Sequence, residues 1–84
     1  MNFLCIGDED TARGFRLAGL EAVVAGDARE ASAALALAVG RDDCGVVVIT
    51  RDVADLIRPQ VEAARQERSR PLIAEIDPVW PGHS

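Results

Sequence analysis

Three carboxylates stand in a row at Asp8, Glu9 and Asp10, directly behind Gly7 and ahead of Thr11. A second polar group, Thr50, Arg51 and Asp52, follows another apolar run. Oxygen-rich clusters of this type can hold Mg²⁺ or Ca²⁺, and loops so placed in α/β proteins often cradle phosphate at a helix start. A phosphate cradle needs glycines and bare amides, whereas here G-x-G-x-x-G is absent and three carboxylates would repel the anion. Three consecutive residues cannot all face one ion, and no second acidic cluster is assured beside them. Asp and Glu at a helix N-terminus also have a plainer use, capping free amides and complementing the helix dipole. The loop is therefore expected to hold no catalytic residue, metal or cofactor.

A phosphoacceptor (receiver) build places paired acids after the first strand, an Asp at the end of the third and a Lys after a later one. The acids are present, but Thr50 occupies the Asp position and the nine basic residues are all Arg. Without Lys there is no Schiff base, Lys base or P-loop Lys. His83 is the one histidine, so a His-based triad or metal site has nothing to be built from. Cys5 and Cys44 lack zinc or redox spacing and read as two buried, reduced thiols. A receiver-like signalling or adaptor domain without its phosphoacceptor stands as the alternative function.

Hydropathy indicates which elements position these residues. "NFLCI" (Asn2–Ile6) is a continuous apolar run suited to a strand buried on both faces. Thr11–Ala18 reads as a short helix with Ala12, Phe15 and Ala18 inward, capped by Asp10 or Thr11 and ended by Gly19. Gly14 weakens it by roughly 1 kcal/mol against Ala. Leu20–Ala25 is a second strand. Asp27 and Glu30 form a D-x-x-E capping box for a helix over Ala28–Val39, with Ala31, Ala34, Leu35, Ala38 and Val39 inward. Gly45–Thr50 is the most strand-like run, and Val47 within it is expected to be fully buried. Thr50 or Asp52 caps a third helix carrying Val53, Leu56, Ile57, Val61 and Ala64 at core spacing, kinked by Pro59. Pro71–Ile76 is the fourth strand. The order β-α-β-α-β-α-β predicts a Rossmann-like α/β domain with a four-stranded parallel sheet, order 2-1-3-4, and helices on both faces. Residues 1–76 form this domain and 77–84 an irregular tail. In such sheets ligands bind beyond the carboxyl ends of the strands where strand order reverses, here between Gly7–Asp10 and Thr50–Asp52.

Net charge is −5, with no basic cluster and three aromatics, which disfavours nucleic acid and anionic membranes as partners. No apolar run reaches the roughly 18 residues of a membrane span, and the N-terminus lacks a signal peptide's pattern. A cytoplasmic setting is expected.

Taken together, "GDEDTARGFRLAGL", "DDCGVVVITRDVADLIR" and "RPLIAEI" resemble, in order, the F subunit of the V-type and archaeal A-type rotary ATPases. The resemblance spans about Met1–Ile76. It implies a non-catalytic central-stalk (rotor) subunit that binds the coiled-coil D subunit of the stalk and neighbouring stalk or headpiece subunits. Such a protein helps couple ATP hydrolysis or synthesis to ion transport, and is cytoplasmic and peripheral to the membrane through the complex. The resemblance also implies a mobile C-terminal helix after the last strand. Here "DPVWPGHS" follows instead, which reads as a short form, and Pro59 interrupts a helix that is usually continuous. The signature residues carried over are Asp8, Glu9, Asp10, Thr11, Gly14, Phe15, Arg16, Leu17 and Gly19. For Phe15 a core position is the plainer role; for Arg16, a solvated charge or an interface contact. Arg58, Arg65, Arg68 and Arg70 give one end a local positive excess, read as a solvated face or, at Arg58, a partner contact. Trp80, flanked by prolines, either tucks onto the domain or anchors a partner.

Overall fold

The computed structural model of the chain describes residues 2–41, 43–67 and 71–78. The elements are β1 (Asn2–Gly7), α1 (Glu9–Leu17), β2 (Glu21–Val24), α2 (Ala28–Val39), β3 (Cys44–Thr50), α3 (Arg51–Leu56), α4 (Arg58–Glu67) and β4 (Leu72–Ile76). All strand pairs are parallel and the order is β2-β1-β3-β4, as the sequence predicts.

Right-handed crossovers fix the layers. The step from β1 to β2 runs one way along the sheet, and the steps from β2 to β3 to β4 run the other. Hence, among the described residues, α1 is the one helix on one face, over Cys5 and Ala22, while α2, α3 and α4 share the opposite face. The main core is on that second face, where Leu4, Ile6, Val47 and Ile49 meet Leu35, Val53, Ile57 and Val61. Val47 is fully buried, and both cysteines are buried and free. Ala31, Ala34 and Ala38 are buried on α2, and such small residues allow the helix to lie close to the strands.

Local chemistry explains the element ends. Asp27 Oδ1 accepts from the Glu30 N–H at 2.8 Å, and Glu30 Oε1 accepts at 2.7 Å from the N–H of Gly26, one residue earlier than a standard capping box. At the end of α1 the Leu20 N–H reaches the Phe15 carbonyl at 3.0 Å and the Gly19 N–H reaches the Arg16 carbonyl at 3.0 Å. This is a Schellman closure, with Gly19 at φ 88°. The closure ends α1 at Leu17, so Ala18, expected inward, is exposed.

Two expectations for the third helix need correction. Pro59 does not kink one helix; it separates two, with Ile57 between them. A proline's ring clashes with the carbonyl four residues back, so it is tolerated only in a helix's first turn, and there it stands in α4. The buried stripe nevertheless keeps its four-residue spacing across the break. Leu56, expected inward, is 50% exposed, while Val53, Ile57 and Val61 stay buried.

Candidate functional site

The crevice between the carboxyl ends of β1 and β3 is where the sequence places its acidic loop. β1 ends at Gly7, so Asp8 alone is left to cap α1, which begins at Glu9, two residues earlier than expected. Asp8, extended at φ −67° and ψ 169°, accepts the Thr11 N–H on Oδ2 at 3.3 Å. Neither Asp10 nor Thr11 is the cap. Glu9 and Asp10 are exposed in the first turn, where they complement the helix dipole. Glu9 lies 3.9 Å from Arg13, an exposed pair that contributes little. The three carboxylates thus diverge.

Across the crevice, Thr50 ends β3 as the N-cap of α3 but makes no side-chain capping bond. It is fully enclosed and packs on Gly7: a Cβ built there would meet Thr50 Cγ2 at 2.9 Å and Oγ1 at 3.3 Å. Among the described residues, Thr50 Oγ1 and Asp8 Oδ1 are buried side-chain oxygens with no hydrogen-bond partner. Beneath them the Cys5 thiol is pushed up to about 11 by burial and by the nearby Asp8 carboxylate, so the nucleophilic thiolate is disfavoured. Arg51 turns to Asp77 at 3.3 Å beyond β4, and Asp52 is exposed. Among the described residues no group of three or more His, Cys, Asp or Glu is placed to hold a metal ion.

The remaining signature residues divide by role. Arg16 is exposed, and its Nε and Nη2 donate to the Ala22 carbonyl at 3.1 and 2.9 Å, tying α1 to the edge strand β2. Phe15 is half-buried against Cys5, Ala12 and Ala22. Gly14 is exposed with open space where a Cβ would be, and Leu17 is 82% exposed. A shallow groove of about 290 Å³ runs along this flank of α1, lined by Asp10, Thr11, Gly14, Phe15, Ala18 and Leu20.

A second constellation joins α4 to β4. Arg58 donates to both oxygens of Glu75, at 2.5 and 3.1 Å, and to Asp55. Arg65 reaches Glu75 at 3.0 Å, Glu62 at 3.1 Å and the Ile73 carbonyl at 3.1 Å. The Arg58 hydrogen bonds hold the Glu75 carboxyl below its usual range, against the pull of desolvation. Arg58 and Arg65 thus pair within the domain while each side chain stays 35% exposed. Sequence reasoning missed Glu75, whose signal was an acid inside the apolar run "PLIAEI". Arg68, Arg70 and Trp80 lie outside the described residues.

Over residues 4–83 the chain matches the family described as ATP synthase (F/14-kDa) subunit. It is 39% identical over 83 residues to the F subunit of the V-type ATP synthase of Thermus thermophilus, covering 93% of this chain and 78% of that protein. The F subunit of the A-type ATP synthase of Methanothermobacter thermautotrophicus is 32% identical over 76 residues, covering 89% of this chain and 71% of that protein.

Proposed function

This chain belongs to the ATP synthase (F/14-kDa) subunit family, and from that premise we propose that it is a non-catalytic rotor-stalk subunit of a V/A-type ATPase. In this reading it binds the coiled-coil D subunit of the stalk beside the neighbouring stalk and headpiece subunits. It transmits position or torque between ATP turnover and ion movement, and sits at the cytoplasmic side of the membrane through that complex. The ordered similarity across nearly the whole chain carries the proposal. The crevice chemistry agrees with it: the first acid is spent on a helix cap and the facing hydroxyl is enclosed. Among the described residues no helix is long and apolar enough to cross a membrane.

The signature residues with side chains free to meet a partner are Glu9, Asp10 and Leu17, with Gly14 leaving room for close approach. Asp8, Thr11, Phe15, Arg16, Gly19 and Arg58 support the domain itself. Co-expression with the cognate coiled-coil stalk protein, followed by size-exclusion chromatography, tests the reading. A one-to-one complex weakened by Leu17→Glu is expected; two separate peaks would overturn it. A receiver-like adaptor would instead give saturable Mg²⁺-dependent NMR shifts at Asp8–Asp10 and Thr50.

A further inference from the structure

Among the described residues β2 and β4 are the edges of the sheet, and a helix arginine sits on an outward carbonyl of each. A strand residue directs its N–H and C=O to one side, and its successor directs them to the other. The Ala25 N–H donates to the Gly7 carbonyl at 2.9 Å, so Gly7 faces β2, and by alternation Leu4 and Ile6 face β3. In a parallel ladder a residue bonds the two that flank its register partner. Leu4, opposite Val47, therefore bonds Val46 and Val48, which leaves Val47 facing β4; Val47, opposite Ile73, bonds Leu72 and Ala74. Ala22 and Val24 of β2, and Ile73 and Glu75 of β4, are left aiming their backbone groups out of the sheet. Arg16 donates twice to the outward carbonyl of Ala22, and Arg65 Nη2 donates to that of Ile73 at 3.1 Å.

We propose that Arg65 is an edge guard, which keeps β4 from pairing with β4 of a second copy of the chain. The edge is complementary to itself. Two β4 strands set antiparallel about a two-fold axis at Ala74 match Ile73 of each copy with Glu75 of the other, and each such pair exchanges both its N–H···O bonds. Across the same junction, on the side of α1, Leu72 meets Ile76 of the second copy and Ala74 meets Ala74. Leu72 is 64% exposed, Ala74 is exposed and Ile76 is half-buried, so pairing also covers apolar surface. Arg65 occupies the very carbonyl that the Glu75 N–H of the second copy needs, and so denies one bond to each pair. The guanidinium is fixed in place: its Nη2 lies 3.0 Å from Glu75 and its Nη1 3.1 Å from Glu62, so a strand that displaced it would break these ion pairs too. Charge placed along an open strand is a general defence against edge-to-edge association. The β4 edge needs it more than β2, which spans four residues, because "LIAEI" is apolar apart from Glu75. The inference is independent of the rotor reading.

Sedimentation velocity on the purified full chain reads the guard. The unaltered chain is expected to stay a monomer of 8.9 kDa from tens to hundreds of micromolar. Arg65→Ala should form a dimer over that range, its dissociation constant lower by about tenfold or more, because one backbone bond is released in each pair. Losing an arginine makes the net charge of −5 more negative, which by itself opposes association. Arg13→Ala makes the same change in charge at a 65% exposed side chain and should stay monomeric. Adding Ala74→Lys to Arg65→Ala sets like charges face to face at the two-fold axis and should restore the monomer, with native far-UV circular dichroism throughout. Arg65→Met, which keeps the unbranched stem on α4, is read in place of Arg65→Ala if that variant loses its native spectrum. The proposal is overturned if the unaltered chain is already a dimer, or if the folded Arg65 variant remains a monomer at hundreds of micromolar. It is overturned equally if Arg13→Ala associates as readily, or if the double variant with Ala74→Lys still dimerises.

Discussion

Gly7→Ala tests the closure of the crevice. Gly7 has no positive φ, so alanine fits its backbone and, by restricting the unfolded chain, should stabilise by about 0.4–1 kcal/mol. Against this, the new Cβ would stand 2.9 Å from Thr50 Cγ2. Thr50 is fully enclosed and cannot swing aside, and overpacking a tight site costs about 1–3 kcal/mol. The steric cost should win, leaving a net loss of about 1–2 kcal/mol. With a urea m-value of about 1 kcal/mol/M for a chain this small, the midpoint should fall by about 1–2 M, followed by far-UV circular dichroism. Thr50→Ser removes Cγ2, the 2.9 Å neighbour, and leaves the hydroxyl, at 3.3 Å, room to turn into the space that Cγ2 vacates. In that background Gly7→Ala should reverse sign and stabilise by about 0.5 kcal/mol. A neutral Gly7→Ala in the otherwise unaltered chain, or a loss that persists alongside Thr50→Ser, would refute the closure, and the double-mutant cycle reads the coupling directly.

Val47→Asp places an unpaired carboxylate in the fully buried centre of β3 and should prevent folding; a soluble, cooperatively unfolding variant would show the core to be elsewhere. The hydrogen bonds from Arg41, then from Asn2, hold the Asp43 carboxyl at about 2, below its ordinary 3.8. The unfolded chain binds more protons between those values, so stability should fall as pH drops from about 4 to 2, and Asp43→Asn should flatten that part of the profile in pH-dependent urea titrations. Cys5 and Cys44 are buried with thiols pushed up by desolvation, so neither should react with a thiol reagent at mildly alkaline pH until urea unfolds the chain; rapid labelling of the native protein would contradict their burial.

The strand order was legible because four apolar runs alternate with capped amphipathic segments, and parallel pairing follows from the crossovers. The bounds of α2 were legible too, since Asp27, Glu30 and Gly40 mark both ends locally. What was not legible depends on distance through space or on competition between equals. Asp8, Asp10 and Thr11 can each cap a helix; Asp8 does so because β1 runs through Gly7. Arg16 finds a carbonyl on β2 whose position no local pattern reveals. Glu75 gathers Arg58 and Arg65 from 17 and 10 residues earlier, which no periodicity encodes. Pro59 announced a disruption, but that it separates two helices with Ile57 between them is visible only in the fold.

The chain order of the sheet has a consequence for biosynthesis. β1 is made first, yet it is an inner strand lying between β2 and β3. On a ribosome adding about 5–20 residues per second, β1, α1 and β2 can begin to associate early, but Leu4 and Ile6 gain their core neighbours Val47 and Ile49 only once β3 has emerged. For a few seconds the nascent chain carries an apolar strand with one flank open, which makes this interval its vulnerable period for aggregation and for chaperone capture.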